Sequence, residues 1–150
     1  MRRPKFSPGT ADDTETAFYD ALQHGDLERL MACWADEEDI VCVHPGGARL
    51  VGHAAIRAAF EALFAHGAIK AHPDRVRRLD AGSCSVHSVI ERIEVMGHDG
   101  PANAWVVATN VYAKTAQGWR LVSHHASPGS RNEPTAVSYT HLRAHETSLH

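Results

Sequence analysis

The chain has 150 residues, of which 43% are hydrophobic, and a formal net charge of -3 at pH 7. This length suits one domain with a sizeable core. The charge gives no reason to expect nucleic acid or an anionic membrane as a partner, and no apolar run approaches the ~20 residues that cross a bilayer.

Three helices are predicted in the first half of the chain. Thr10 or Asp12 can cap the first, whose opening turn "ADDTET" is acidic, as the helix dipole prefers. Asp26 can cap the second, which has apolar residues at helical spacing: Leu27, Leu30, Met31 and Trp34. Gly52 opens the third, "HAAIRAAFEALFAHG", with a predicted buried stripe of Ile56, Phe60, Leu63 and Phe64.

Strands are predicted in two places. Between the second and third helices, "IVCVH" indicates a strand, Pro45-Gly46-Gly47 a turn and "ARLVG" a short return strand. After Gly67 the hydrophobic period changes to two, which predicts strands at about 69–79, 83–96, 102–115 and 119–127. Glycine-bearing turns between these runs indicate antiparallel hairpins. The expected class is therefore α+β, with the helices on one face of a curved sheet.

This order of elements, with "MACWADEEDIVCVHPGGARLVGHAAIRAAFEALF" and the closing "GWRLVSHHAS", resembles the nuclear-transport-factor-two-like superfamily. Within it, the chain looks closest to the SnoaL-like and ketosteroid-isomerase-like branch. The resemblance implies a cone: a bent antiparallel sheet around three helices, with a pocket at the wide end. Members of the superfamily serve as enzymes, ligand binders or dimerising partners. We expect a flexible segment over 1–11, the cone domain over 12–130 and a disordered tail over 131–150.

The tail carries a second resemblance. "VSYTHLRAHET", which begins at Val137, has neither a helical nor a strand period and resembles the translated end of a sequencing adapter. We therefore expect everything from about residue 137 to be foreign to the fold, and the tail histidines are excluded from the reasoning about sites.

His44 is the first candidate for chemistry. The residue before a proline is pushed into an extended conformation, so His44 belongs to the strand and shares a face with Ile40 and Cys42. The resemblance places it where ketosteroid isomerases carry the aspartate that moves the proton. An imidazole can act as that base near neutral pH; the alternative is a hydrogen-bonded structural histidine.

Asn110 is the second candidate, and the resemblance places it at the oxyanion-hole aspartic acid of the isomerases. Its amide can donate a similar hydrogen bond, or it can simply tie strands together. Phe18 stands where the resemblance expects a donating tyrosine. Tyr19 is one step further along the helix, about 100° round it, and is expected to point elsewhere.

His87 and Glu91 share a strand face with Val89 and leave two arrangements open. If this face is inward, Glu91 lines the pocket or pairs with a neighbour such as Arg120, and a raised pKa would make a pocket-lining Glu91 an acid or base. In the reversed arrangement, which we weigh slightly higher, both residues lie on the exposed face.

Two further sets complete the predicted site. Of the adjacent His124 and His125, only one can face the pocket, and His125 is favoured because it shares strand phase with Leu121. Aromatic residues are expected to form the pocket wall or the core: Trp34, Phe60, Phe64 and Tyr112. Tyr112 can also supply a hydroxyl. Imidazole and carboxylate suit zinc or iron, but His44, His87, Glu91 and His125 show no familiar motif spacing, so no metal and no organic cofactor is predicted.

The sequence thus predicts a small-molecule-binding domain. If it is an enzyme, we expect proton transfer next to a carbonyl, of isomerase, cyclase or dehydratase type, on a small hydrophobic substrate. The alternative is a non-catalytic ligand-binding or dimerisation module. Three cysteines without metal spacing indicate free thiols and the cytoplasm. An apolar sheet face bearing Trp105, Val107, Thr109 and Val111 indicates a homodimer.

Overall fold

The computed structural model describes residues 9–132. The first eight residues of the predicted flexible segment lie outside the described residues, and so does the adapter-like tail from Val137. Residues 133–136 of the predicted disordered tail lie outside them as well.

Three helices form as predicted: α1 (Ala11–His24), α2 (Leu27–Ala32) and α3 (His53–Phe64). Thr10, not Asp12, caps α1 by accepting a hydrogen bond from the backbone N–H of Asp13 at 3.1 Å. Gly25 ends this helix with a φ of 63°, a left-handed conformation that glycine adopts without strain. Asp26 caps α2 by accepting from the N–H of Arg29 at 3.1 Å.

Within residues 9–132, six strands form one sheet: β1 (Val41–Val43), β2 (Arg49–Val51), β3 (Ala71–Ala81), β4 (Cys84–Gly97), β5 (Gly100–Thr115) and β6 (Gly118–Pro128). Their order in space is β2-β1-β6-β5-β4-β3. The long strands β3 to β6 pair antiparallel, as predicted. β1 instead pairs parallel to β6, with Cys42 opposite His124, and this brings the strand before His44 beside the last strand of the sheet. The class is α+β, with a curved sheet that does not close.

The core lies between the helices and the inner face of this sheet. Fully buried side chains from both layers meet there, including Phe18, Leu30, Ile56, Tyr112 and Leu121. On β4 the inward-facing residues are Ser85, His87, Val89 and Glu91, all of them buried. The inward arrangement of His87 and Glu91 is therefore confirmed, and the reversed arrangement, which was weighed slightly higher, is wrong.

A β-bulge in β6 overturns the prediction for His125. Tyr112 pairs with Leu121 and Val111 with Ser123, so Val122 is an extra residue between them. An extra residue reverses the alternation of faces beyond it. His124 is consequently buried, at 5% exposed, whereas His125 is exposed.

The other face of the sheet carries the predicted apolar surface. Trp105, Val107, Thr109 and Val111 alternate on β5 with Val106, Ala108, Asn110 and Tyr112, which are buried towards the helices. Val107 is 37% exposed. The predicted dimer face is therefore turned away from the helices.

No helix within residues 9–132 has the length and apolar character needed to cross a membrane.

The Asp26 cap provides a test of the local structure. Asp26→Ala removes the acceptor for the N–H of Arg29, so the free energy of unfolding should fall by about 1 kcal/mol in urea denaturation. Asp36→Ala is the matched control, because it removes an exposed acid from a loop. An equal loss in both variants would show that charge, not capping, is responsible.

Candidate active site

A cavity of about 340 Å³ opens between α1, α3 and the inner face of the sheet. Its size is at the lower end of the range for small-molecule sites. Most of its wall is apolar, and three side chains bring polar groups to it: His44, Glu91 and His124. The remaining lining residues are Phe18, Leu22, Pro45, Phe60, Leu63, Ile69, Ala71, Ile93 and Ala126.

A chain of hydrogen bonds runs behind this wall. The Tyr19 hydroxyl donates to Glu91 Oε2 at 2.7 Å and accepts from Asn110 Nδ2 at 2.9 Å. At the other end, Asn110 Oδ1 lies 2.5 Å from His124 Nδ1. Because an amide oxygen only accepts, the His124 nitrogen must donate. Glu91 and His124 are thus joined through Tyr19 and Asn110, and all four residues are buried.

The secondary structure explains why these four side chains meet. Asn110 on β5 lies directly opposite His124 on β6, so their side chains project from the same face of the sheet. Glu91 projects from that face on β4. Tyr19 reaches Glu91 and Asn110 from α1, which packs over the sheet.

Burial dominates the acidity of Glu91. It raises the pKa of this carboxyl to about 7, although the hydrogen bond from Tyr19 lowers it, and the negative charge of Glu15 raises it further. A group with this pKa exchanges a proton readily near neutral pH, which is what a general acid or base requires.

Both histidines of the cavity are neutral near pH 7. Burial, with the neighbouring His44 and His125, lowers the pKa of His124 to about 3. Since its Nδ1 carries the proton, its Nε2 presents a lone pair. Burial also lowers the pKa of His44. The His44 ring packs edge-on against Phe60, with the ring centres 5.0 Å apart, and lies 6.3 Å from the ring of His124.

The cavity contains four of the residues predicted for the site: His44, Glu91, Phe18 and Phe60. Phe64 packs beside Phe60, and Trp34 packs edge-on against Phe18. Neither lies among the lining residues, which fits the alternative that they belong to the core.

The other four predicted residues also lie outside the cavity lining: Asn110, His87, Tyr112 and the exposed His125. Asn110 holds Tyr19 and His124 behind the wall, which fits the strand-tying alternative rather than a direct oxyanion donor. His87 and Tyr112 belong to a second buried cluster, in which both contact Glu15.

Sequence reasoning missed Tyr19 and His124. Tyr19 was expected to point away because it is one residue past Phe18, but both are buried, at 2% and 0% exposed. The surrounding protein covers α1 over an arc wide enough to bury two adjacent residues, Phe18 and Tyr19. His124 was assigned outward because a bulge at Val122 leaves no clear mark in the alternation of the sequence.

Helices packed on one face of a curved, unclosed sheet form the fold of the NTF2-like class, and solved structures share it. A protein from Thiobacillus denitrificans, provisionally named a calcium/calmodulin-dependent protein kinase type II association domain, is 34% identical, with a TM-score of 0.75 over 84% of this chain and 100% of its own. A protein from Streptomyces avermitilis, provisionally named a dehydratase of the NTF2-like family, is 32% identical, with a TM-score of 0.69 over 77% of this chain and 91% of its own.

The chain belongs to the SnoaL-like domain family, whose model matches residues 12–130. An NTF2-like protein of unknown function from Pseudomonas putida has the same fold at 19% identity and a TM-score of 0.68, covering 81% of this chain and 86% of its own. A comparison with curated proteins finds no match.

The raised pKa of Glu91 predicts a pH-dependent stability. The carboxyl has a pKa of 4.5 when unperturbed and about 7 in the fold, so between these values the unfolded chain releases its proton first. Raising the pH therefore favours unfolding, by up to about 3 kcal/mol once the pH exceeds 7. Glu91→Gln, which does not ionise, should become more stable relative to the parent protein by about 2.5 kcal/mol between pH 5 and pH 8.

Urea denaturation at the two pH values measures this difference, and other titrating groups cancel between the two proteins. Glu61→Gln, which removes an exposed carboxylate on α3, should show no comparable change. A pH-independent difference between Glu91→Gln and the parent would contradict the raised pKa.

Proposed function

We propose that this SnoaL-like domain binds a small, neutral, hydrophobic molecule and catalyses proton transfer next to its carbonyl group. The reaction class is that of an isomerase, cyclase or dehydratase that uses acid/base chemistry. The observation that carries the proposal is Glu91: a carboxyl with a pKa of about 7 in the wall of an apolar cavity, hydrogen-bonded to Tyr19.

Glu91 is the proposed proton carrier. Its ionised form takes the proton from the carbon next to the carbonyl; the C–H electron pair then forms the new C–C double bond, and the carbonyl electrons move to the oxygen. Tyr19 donates to Oε2 of the carboxylate throughout. Return of the proton from Glu91 to a different atom completes the isomerisation. In a dehydration, the electrons of the enolate expel a hydroxyl group two carbons from the carbonyl, and the proton on Glu91 converts it to water.

His44 is the proposed partner for the oxygen. Because burial lowers its pKa, the ring is neutral and can present one N–H to the enolate-like oxygen. This role differs from the base expected from the sequence, since Glu91 has the pKa closer to neutrality. His124 keeps its Nδ1 proton on Asn110 and offers Nε2 as an acceptor for a donor group of the ligand.

The cavity favours a neutral ligand. Among the described residues that line it, none is lysine or arginine. A carboxylate or phosphate ligand would meet Glu91 and two neutral histidines without a cation to balance it, which is unfavourable in an apolar wall.

The proposal is tested by screening small cyclic ketones and enones for binding by ligand-observed NMR, and the hits for conversion. The rate should rise with pH through about 7, as Glu91 ionises. Glu91→Gln should lower turnover at least 100-fold while leaving the affinity for a neutral hit within about threefold. Glu61→Gln is the control for charge. Full turnover in Glu91→Gln, or binding confined to anionic compounds, would contradict the proposal.

A second candidate is a dimerisation module, with or without a bound ligand. The outer sheet face carries Trp105, Val107, Thr109 and Val111 away from the helices, and a relative that is 34% identical is named an association domain. We propose that two copies of the chain pair through this face around a two-fold axis.

Sedimentation equilibrium tests the pairing. The parent protein should be a dimer at micromolar concentration, and Val107→Glu should make it a monomer by placing a charge in the interface. Met96→Glu, at a position 79% exposed in the β4–β5 hairpin, should remain a dimer. A monomeric parent protein would contradict the proposal.

We also propose a cytoplasmic location. Cys33, Cys42 and Cys84 are free thiols, and a reducing compartment preserves thiols in that form. Burial raises the pKa of both Cys33 and Cys42 to about 12, so these two stay protonated.

A further inference from the structure

A second polar cluster lies at the other end of the inner sheet face. His87 precedes Glu91 by four residues on β4, which separates them by about 13 Å along the strand. Asp12 and Glu15 come from the start of α1 and meet His87 there. One ligand atom from each of Asp12, Glu15 and His87 lies within 4.8 Å of the others.

One ring nitrogen of His87, Nε2, faces oxygen atoms that do not donate a hydrogen bond to it. Its Nδ1 lies 2.9 Å from Glu15 Oε2, a carboxylate oxygen that can only accept, so Nδ1 donates this hydrogen bond. Its Nε2 then faces Ser85 Oγ at 3.0 Å and Asp12 Oδ1 at 3.9 Å. The Ser85 hydroxyl donates its only proton to Asp80 Oδ1 at 2.6 Å. Neither oxygen therefore donates a hydrogen bond to Nε2, in a side chain that is 1% exposed, so Nε2 can gain a partner by binding a cation.

The negative charge of the cluster also favours a further cation near His87 Nε2. Asp12, Glu15 and Asp80 supply three carboxylates, and Arg78 contacts one of them, through Nε at 2.7 Å from Asp12 Oδ1. The side chain of Arg78 is 44% exposed, so it can turn outward and release that oxygen. A further cation, either a proton on Nε2 or a metal ion, would offset the excess negative charge and give Nε2 a partner.

The cluster is accessible to an ion. A pocket of about 410 Å³ opens beside it and is lined by Asp12, Arg78, Asp80, His87 and Trp119, among others. Glu15 and Ser85 lie deeper and are buried. The pocket has room for water molecules that could complete the coordination of an ion.

We propose that this cluster binds a divalent transition-metal ion such as Zn²⁺, with His87 Nε2 and Asp12 as ligands. Imidazole and carboxylate are suitable ligands for zinc. Glu15 holds Nδ1 of the same ring, which is the outer-shell carboxylate arrangement that orients histidine ligands of metals. The site is separate from the cavity and was not predicted from the sequence, where no motif spacing links residues 12, 15 and 87.

Isothermal titration of the chelator-treated full chain with ZnCl₂ tests the site, using four proteins. The parent protein should bind one ion at a saturable site. Asp12→Asn should weaken this binding at least tenfold, and His87→Gln should abolish it. His72→Gln is the matched control, because it removes another histidine that contacts a carboxylate, that of Glu94 at 2.5 Å, and it should bind zinc as the parent does.

The decisive variant is Asp12→Asn, because the Asp12 side chain is 57% exposed and its replacement leaves the buried residues in place. Circular dichroism establishes that each variant is folded before it is titrated. The same isotherm in all four proteins would place the zinc elsewhere, such as on the histidines beyond residue 132, and would overturn the proposal. No binding by the parent protein would show that the cluster takes only a proton, and would overturn it equally.

Discussion

A carboxylate buried in an apolar wall is costly unless a donor faces it, and for Glu91 that donor is the hydroxyl of Tyr19. This one hydrogen bond joins α1 to β4 and decides how the rest of the site is arranged. It requires the helix to lie close over the sheet with a tyrosine turned inward. It also keeps an ionisable carboxyl in the protein interior, where burial raises its pKa to about 7.

That contact determines how the remaining polar groups behind the cavity wall are hydrogen-bonded. The Tyr19 oxygen, having donated to Glu91, accepts from Asn110, and the Asn110 oxygen accepts from His124. The Asn110 nitrogen donates to Tyr19, so the Asn110 oxygen faces His124 and can only accept. His124 therefore carries a proton on Nδ1. Phe18, next to Tyr19, supplies the apolar wall. One turn of α1 thus provides both the support for the carboxyl and the surface that the ligand contacts.

The fold was predicted well because helices, strands and turns are marked by short stretches of neighbouring residues. Capping residues, helical stripes and glycine turns identified three helices and the long meander, and the proline after His44 placed that histidine at a strand end. The errors concern interactions between elements. The bulge at Val122 reverses the faces of His124 and His125, and it depends on pairing with β5. The inward position of Tyr19 depends on how far the sheet and the other helices enclose α1. The cluster of Asp12, Glu15 and His87 joins residues more than 70 positions apart.

The proposed chemistry depends on the ionisation of Glu91, which can be observed directly by ¹³C NMR of the side-chain carboxyl in selectively labelled protein, titrated from pH 4 to pH 9. The resonance, assigned by its absence from Glu91→Gln, should titrate with a midpoint near 7. In Tyr19→Phe the midpoint should move higher, because the hydrogen bond that favours the ionised form is lost. A midpoint near 4.5 in the parent protein would show that the carboxyl is solvated, and would contradict both the buried site and the chemistry proposed for it.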